Sequence, residues 1–389
     1  MSRILRRLLS HSSTGTSTPR AIEQLTSRVT LIRALPSGPF SKEDSNTYLV
    51  GEGAQRILID TGTGHPSYLP TLAGYLKEKD ASLSHILLTH AHGNHTHGLV
   101  AIWRTFGTAL PVYKLKSSQD DIKLSGNNKT KAEPKPSFLK DGQTIRSLDG
   151  SSSLKVLHTP GHSQDSVCFH LLEEDSMFTG DAVSSAPHGP TRPTHAVFED
   201  LDAYRRSLQK ITRQFPKILY PGHGALVANP TAYLESAREC QNVLALAIHN
   251  ILGQSGKPMS AEAIAVEIDQ AQQLRLSDIE LPVLIGTVKH HLLEMEAQTF
   301  IRRSHGLESE SSRAGTTNGS GVDPSKLKGP GGLTLEQIYS KVTESNRRDW
   351  SDMNRQERSQ VLDQTSWREQ QHPLHVRIPL RKETTWVLA

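Results

Sequence analysis

The chain has little that would staple it covalently or seat it in a bilayer. Two cysteines, Cys168 and Cys240, in 389 residues cannot build a disulfide framework. They match none of the paired-cysteine zinc spacings, so both read as small buried hydrophobes. No apolar run approaches the roughly 20 residues needed to cross a bilayer. Aromatic residues make up only 5% of the chain and hydrophobic residues 35%, which describes a globular part diluted by polar segments and shows no aromatic stacking patch for nucleic acid. Acid is missing from the start of the chain. "MSRILRRLLSHSSTGTSTPR" carries Arg3, Arg6, Arg7 and Arg20 with no Asp or Glu before Glu23. That make-up suits a presequence addressing the mitochondrial matrix over residues 1–27; an unstructured basic tail on a cytoplasmic protein is the alternative. A net charge of +4 permits anionic partners without demanding them.

The histidines, by contrast, are concentrated. Between Thr30 and Gly224, short β-branched runs alternate with amphipathic ones. "RILIDTG", "HILLTH", "LKVLHTPGH", "SMFTGD" and "KILYPGHG" each read as a buried strand followed by a turn. "SYLPTLAGYLKEK" and "LDAYRRSLQKITRQF" have helical periodicity. The class is therefore a layered α/β domain. Asp60, His90, His162, Asp181 and His223 all fall at or just past a strand's end, on the edge where loops converge on a ligand. Imidazoles gathered on one rim add nothing to stability without a metal, and His with carboxylate is a donor set that zinc accepts in sites with an open position. In "HAHGNH" the two-residue step aims His90 and His92 at one centre, and Asn94 with His95 at another, so two metals are expected.

The ordered motifs "DTG" (60–62), "THAHGNH" (89–95), "TPGHS" (159–163), "TGD" (179–181) and "PGHG" (221–224) resemble those of the metallo-β-lactamase-fold hydrolases. The resemblance implies an αββα sandwich over residues 28–228. It implies that His90, His92 and His162 hold a first zinc, that His95 and His223 hold a second, and that Asp181 bridges the two. Asp60 would steady the cluster's histidines by hydrogen bonding. Asn94 and Asp181 would stand at catalytic positions, but the family pattern is His-x-His-x-Asp-His, and Asn94 occupies the aspartate's place. In the family that aspartate coordinates the second zinc and helps return a proton to the leaving group. An amide cannot take up a proton, so one tight zinc, one weak zinc and attenuated hydrolysis are expected. His97 stands where the family usually has glycine and reads as a surface histidine beside the site. His65, His188 and His195 are unassigned candidates near the rim, and His85 reads as structural.

Beyond "PGHGALVANP" the chain turns helical, through "TAYLESARECQNVLALAIHNILG", "SAEAIAVEIDQAQ" and "LPVLIGTVKHHLLEMEAQ", and then reaches a β-prone "TFIRR". This predicts a small winged-helix-like domain over 229–303. A Ser/Gly/Pro-rich linker or wing insertion, partly disordered, would occupy 304–375. The final 376–389, with "TTWVLA", would supply the last wing strand. That layout, with "LKDGQTI" (139–145), "VFEDLDAY" (197–204) and "HHLLEMEAQ" (290–298), resembles the β-lactamase-like protein 2 family. The resemblance implies a zinc-dependent endoribonuclease acting on single-stranded RNA. A thioesterase or ester hydrolase of glyoxalase II or polyketide-thioesterase type, acting on a small thioester or ester, is the alternative. A non-catalytic zinc-binding pseudo-enzyme is a third reading, drawn from Asn94. Arg205, Arg206 and Lys289 read as readily as solvated helix faces as RNA contacts.

Overall fold

The computed structural model describes residues 20–35, 44–107, 109–116, 135–185, 197–277, 280–298, 301–304 and 385–388. His188, His195, the first nineteen residues and the stretch 305–384 lie outside the described residues. The chain divides between Arg238 and Glu239 into two compact units.

The first unit is built on two sheets. One runs in sequence order through β1 (Ile22–Gln24), β2 (Val29–Ala34), β3 (Ser45–Val50), β4 (Gln55–Ile59), β5 (Ser82–Leu87), β6 (Val112–Leu115) and β7 (Ser137–Leu139). It is antiparallel from β1 to β4 and parallel from β4 onward. The other contains β8 (Thr144–Arg146), β9 (Ser153–His158), β10 (Val167–Leu171), β11 (Ser176–Gly180) and β12 (Ile218–Pro221), in the order β12-β11-β10-β9-β8, with β11 and β12 parallel. The first sheet begins at Ile22, so the basic segment's last residues already pair with β2.

Alternation along the strands decides the layering, because successive side chains leave a strand on opposite faces. Val29 and Leu31 of β2 join the same core as Ile57 and Ile59 of β4 and Val167, Phe169 and Leu171 of β10, so this core lies between the sheets. Ile32 and Ala34 of β2, with Leu58 of β4, turn the other way. They meet Tyr68, Leu72 and Leu76 of helix α1 (Tyr68–Glu78) and, beyond the short helix α2 (Gly93–Thr96), Leu99 and Ile102 of α3 (Leu99–Phe106). The outer face of the second sheet, through Leu157, Cys168, Met177 and Leu219, is covered by α4 (Leu201–Thr212) and the start of α5 (Pro230–Ser255). Asp200 caps α4 by accepting a hydrogen bond from the Ala203 amide at 2.9 Å. Leu201, Tyr204, Leu208 and Ile211 form its buried stripe. Each such side chain, fully buried, contributes about 1.5–3 kcal/mol. The result is the αββα sandwich expected from the motifs.

The second unit carries the rest of α5, then α6 (Ala261–Gln272) and α7 (Glu280–Ala297), which pack on each other. Ser260 caps α6 at the Ala263 amide. Its small sheet joins β13 (Met259–Ser260), β14 (Ile301–Ser304) and β15 (Thr385–Leu388) in the order β13-β15-β14, all antiparallel. "TTWVLA" does pair with the end of "TFIRR", as Ile301↔Leu388 through Ser304↔Thr385. The Trp386 side chain is 1% exposed. Among the described residues no helix is long and apolar enough to cross a membrane.

Candidate metal centre

Five strand ends deliver the polar side chains. Asp60 follows β4, His90 lies just past β5, His162 past β9, Asp181 directly after β11 and His223 after β12. His92 stands at the residue just before α2, and Asn94 and His95 lie on that helix. The ligand atoms gather in two groups that share one carboxylate. In each group the atoms lie within 4.8 Å of one another: His90, His92, His162 and Asp181 form the first, and His95, Asp181 and His223 the second. All six residues expected to hold metal are therefore brought together.

The spacing suits a small divalent ion. Nitrogen or oxygen ligands at about 2.0–2.1 Å in tetrahedral array stand roughly 3.3 Å apart. His162 Nε2 is 3.4 Å from Asp181 Oδ2, and His90 Nε2 is 3.8 Å from the same oxygen. In the second group His95 Nε2 and His223 Nε2 are 3.2 and 3.6 Å from Asp181 Oδ1. Buried His90 Nε2, His95 Nε2 and Asp181 Oδ1 have no hydrogen-bond partner in the protein. Buried polar atoms are rarely left so, and three aimed at one another make a cradle that a cation satisfies.

The partners behind the imidazoles fix which nitrogen faces inward. His162 Nδ1 donates to the Val197 carbonyl at 2.7 Å, and His223 Nδ1 to the Asp44 carbonyl at 2.9 Å, so both rings turn a lone pair on Nε2 toward the cluster. Asp60 contacts one histidine of the cluster directly, His95. Its Oδ2 accepts from His95 Nδ1 and Thr89 Oγ1, and its Oδ1 from the Thr89 amide, all at 2.8 Å. Its backbone sits at φ 58°, in the left-handed region, a strained conformation for a residue other than glycine. Gly222 supplies room: a Cβ there would stand 2.5 Å from Asp181 Oδ1 and 2.7 Å from His95 Cε1.

Charge follows the geometry. Burial holds the His90 imidazole well below its usual pKa, with His95 adding to the effect. Burial also opposes protonation of His95, but Asp181 and Asp60 on either side outweigh it and push this ring up to about 10. Burial would raise the Asp181 carboxyl, yet His95 and His223 hold it well below the usual carboxylate range. Asp60 and Asp181 thus bring two carboxylates to a cluster in which burial disfavours charge on His90 and His92, an arrangement suited to a cation.

Asn94 belongs to this site but not to either ligand group. Its Nδ2 lies 2.8 Å from His223 Nε2. His97 is exposed and outside both groups, with its ring over Gly93. His65 is tied into its own turn by a 2.8 Å contact to Ser67 Oγ. His85 lies on β5 beside Tyr113, where partial burial lowers its pKa. Arg206 pairs with Asp202 and Lys289 with Glu262, so these two cations are engaged on their own helix faces or with a neighbour. Sequence reasoning missed Thr89 and the carbonyls of Asp44 and Val197. Thr89 stood in plain view beside His90, whereas a main-chain carbonyl has no sequence signature.

The metallo-beta-lactamase superfamily matches over residues 41–223. An atrochrysone carboxyl ACP thioesterase of Emericella nidulans is 39% identical over 209 residues, 54% of this chain and 59% of that one. A lactamase-like protein of Pestalotiopsis microspora is 33% identical over 254 residues, covering 64% and 72%, and one of Aspergillus fumigatus is 32% identical over 304, covering 78% and 84%. Among solved structures, a beta-lactamase domain protein from Burkholderia ambifaria superposes with a TM-score of 0.57 at 16% identity, over 75% of this chain and 93% of its own. A metallo-beta-lactamase family protein from Thermus thermophilus gives 0.54 at 20%, over 72% and 97%. These two speak for the fold alone.

Proposed function

The chain belongs to the metallo-beta-lactamase superfamily, and from that membership we propose that it is a zinc-dependent hydrolase of acyl thioesters. The observation that carries this reading is the similarity, up to 39% identity, to relatives named as acyl-carrier thioesterases. The expected ribonuclease activity draws no support from these names, and it gives way as the leading reading.

Asn94 favours the same choice on chemical grounds. An ordinary thiol has a pKa of about 8.5, so a thiolate leaves without first being protonated. The alkoxide expelled from a phosphodiester is far more basic, nearer water's value of about 15.7, and needs a proton donor. A site whose aspartate position holds a non-ionising amide tolerates the first substrate and handicaps the second. His90, His92, His162 and Asp181 would hold the zinc. When bound, it supplies Lewis acidity toward a carbonyl oxygen and lowers the pKa of water. The protein's own residues hold the geometry: Val197 and Asp44 orient His162 and His223, and Asp60 locks His95.

The test is a comparison on the full chain loaded with zinc, using acyl-pantetheine or acyl-CoA beside a single-stranded RNA. Thiol release with intact RNA supports the reading; cut RNA without thiol release rejects it. The second reading, a non-catalytic zinc protein, also rests on Asn94. It predicts no turnover of either substrate by the natural chain and turnover by Asn94→Asp. In the second unit, the strand order β13-β15-β14 with α6 and α7 supports a winged-helix arrangement. The stretch 305–384 would then be an insertion between two paired wing strands.

A further inference from the structure

The start of β3 touches both sides of the second ligand group. The Asp44 carbonyl accepts from His223 Nδ1 at 2.9 Å. Ser45 Oγ donates to the Asn94 carbonyl at 2.8 Å, and Ser45 is fully buried. The Asn46 amide donates to the Gly222 carbonyl at 2.8 Å, while its side chain donates to Pro221 and Gly224 at 2.9 and 2.8 Å. Three consecutive residues thus fix the main chain under Asn94, the loop carrying His223, and the tautomer of its ring.

That tautomer decides what Asn94 does. With Nδ1 carrying the proton, His223 Nε2 has only a lone pair to offer, so the group 2.8 Å away must be a donor. The side-chain NH₂ of Asn94 meets that need; its carbonyl oxygen in the same place would set lone pair against lone pair. That lone pair therefore faces an NH₂ that can never become an acceptor, whereas His162 Nε2 in the first group lies 2.9 Å from His92 Nδ1, a ring nitrogen that presents its own lone pair to a metal once its proton shifts. Loss of a negative charge alone would leave His223 Nε2 open; here it is capped.

We infer that Asn94 closes the second metal position by hydrogen-bonding His223 Nε2, leaving a mononuclear centre at His90, His92, His162 and Asp181. The inference rests on the cluster holding zinc at all, as proposed above. An ion entering the second position would have to break this bond and turn the amide, gaining only a neutral carbonyl in return.

The test is zinc stoichiometry of the full-length chain by equilibrium dialysis and elemental analysis, with natural, Asn94→Ala and Asn94→Asp proteins. The natural chain retains one zinc. Asn94→Ala removes the cap without adding a ligand, so its second zinc binds more tightly than in the natural chain, by about 3- to 10-fold for one neutral hydrogen bond. Asn94→Asp binds the second zinc tighter still. A second zinc no tighter in Asn94→Ala than in the natural chain overturns the inference, because it makes charge loss or a carbonyl ligand the cause. If a variant fails to fold, imidazole nitrogen NMR of the natural chain at one equivalent of zinc decides: a metal-bound signal for His223 Nε2 overturns the inference, and a hydrogen-bonded acceptor signal supports it. Two equally tight zincs defeat this inference alone. No zinc at all defeats it together with the proposed function.

Discussion

Gly222→Ala puts the smallest possible side chain against the heart of the cluster. The added Cβ would stand 2.5 Å from Asp181 Oδ1 and 2.7 Å from His95 Cε1, where ordinary contact begins at 3.4 Å. Something must therefore retreat by about 0.9 Å at the carboxylate and 0.7 Å at the ring, by subtraction from those distances. The main chain is held on both sides, since the Gly222 amide donates to the Gly180 carbonyl at 2.9 Å and its own carbonyl accepts from Asn46 at 2.8 Å. The side chains must move instead. Metal sites tolerate ligand displacements of only about 0.2 Å, so the Asp181 carboxylate is lost as a well-placed donor. Zinc affinity should fall at least about 10- to 100-fold, the range seen for disturbed supporting contacts. The overpacking itself costs about 1–3 kcal/mol, so the domain stays folded. Competition titration against a zinc chelator, beside a thermal melt, reads both quantities. Natural zinc affinity in a folded Gly222→Ala protein would refute the argument.

Asp60→Ala strips the Thr89 amide and His95 Nδ1 of their acceptor in a site 2% exposed. Each orphaned buried group costs about 1–3 kcal/mol, so urea denaturation should show a loss of about 2–6 kcal/mol with weaker zinc binding; unchanged stability would contradict the bracing role. Burial pushes the Cys168 and Cys240 thiols up to about 12. Ellman's reagent should label neither at pH 8 in the native chain and both in urea, and rapid native labelling would refute this. Because these folded-state pKa values lie above the unfolded value of about 8.5, the stability they contribute is fully present below that pH and is lost as pH rises toward about 12. Trp386→Ala empties a fully enclosed indole from the central strand of the small sheet. A cost of about 3–5 kcal/mol should appear by calorimetry with zinc content unchanged, and an unaltered melt would count against its burial.

The site was legible in the sequence to the extent that its chemistry depends on side chains placed just after strands. Metal ligation demands particular side chains, and strand ends bring them together, so His90, His162, Asp181 and His223 announced themselves. The sandwich was legible for a related reason: strands such as β4 and β11, buried on both faces, read as short apolar runs in "RILIDTG" and "SMFTGD". What was hidden depends on the third dimension. Asn94 stood out as a departure, yet its partner His223 lies 129 residues away, and only the fold shows that the amide caps that ring. The Asp44 and Val197 carbonyls that set the tautomers are main-chain atoms, which any residue could supply. His97, conspicuous in the motif, stands outside both ligand groups because α2 carries it to the surface.

The central claim is tested most directly by restoring zinc stepwise to metal-stripped full-length protein while following thiol release from an acyl thioester. The account predicts no release without metal, a rise in proportion to zinc added, and a plateau at one equivalent per chain. Thiol release that persists undiminished in the stripped protein would contradict it.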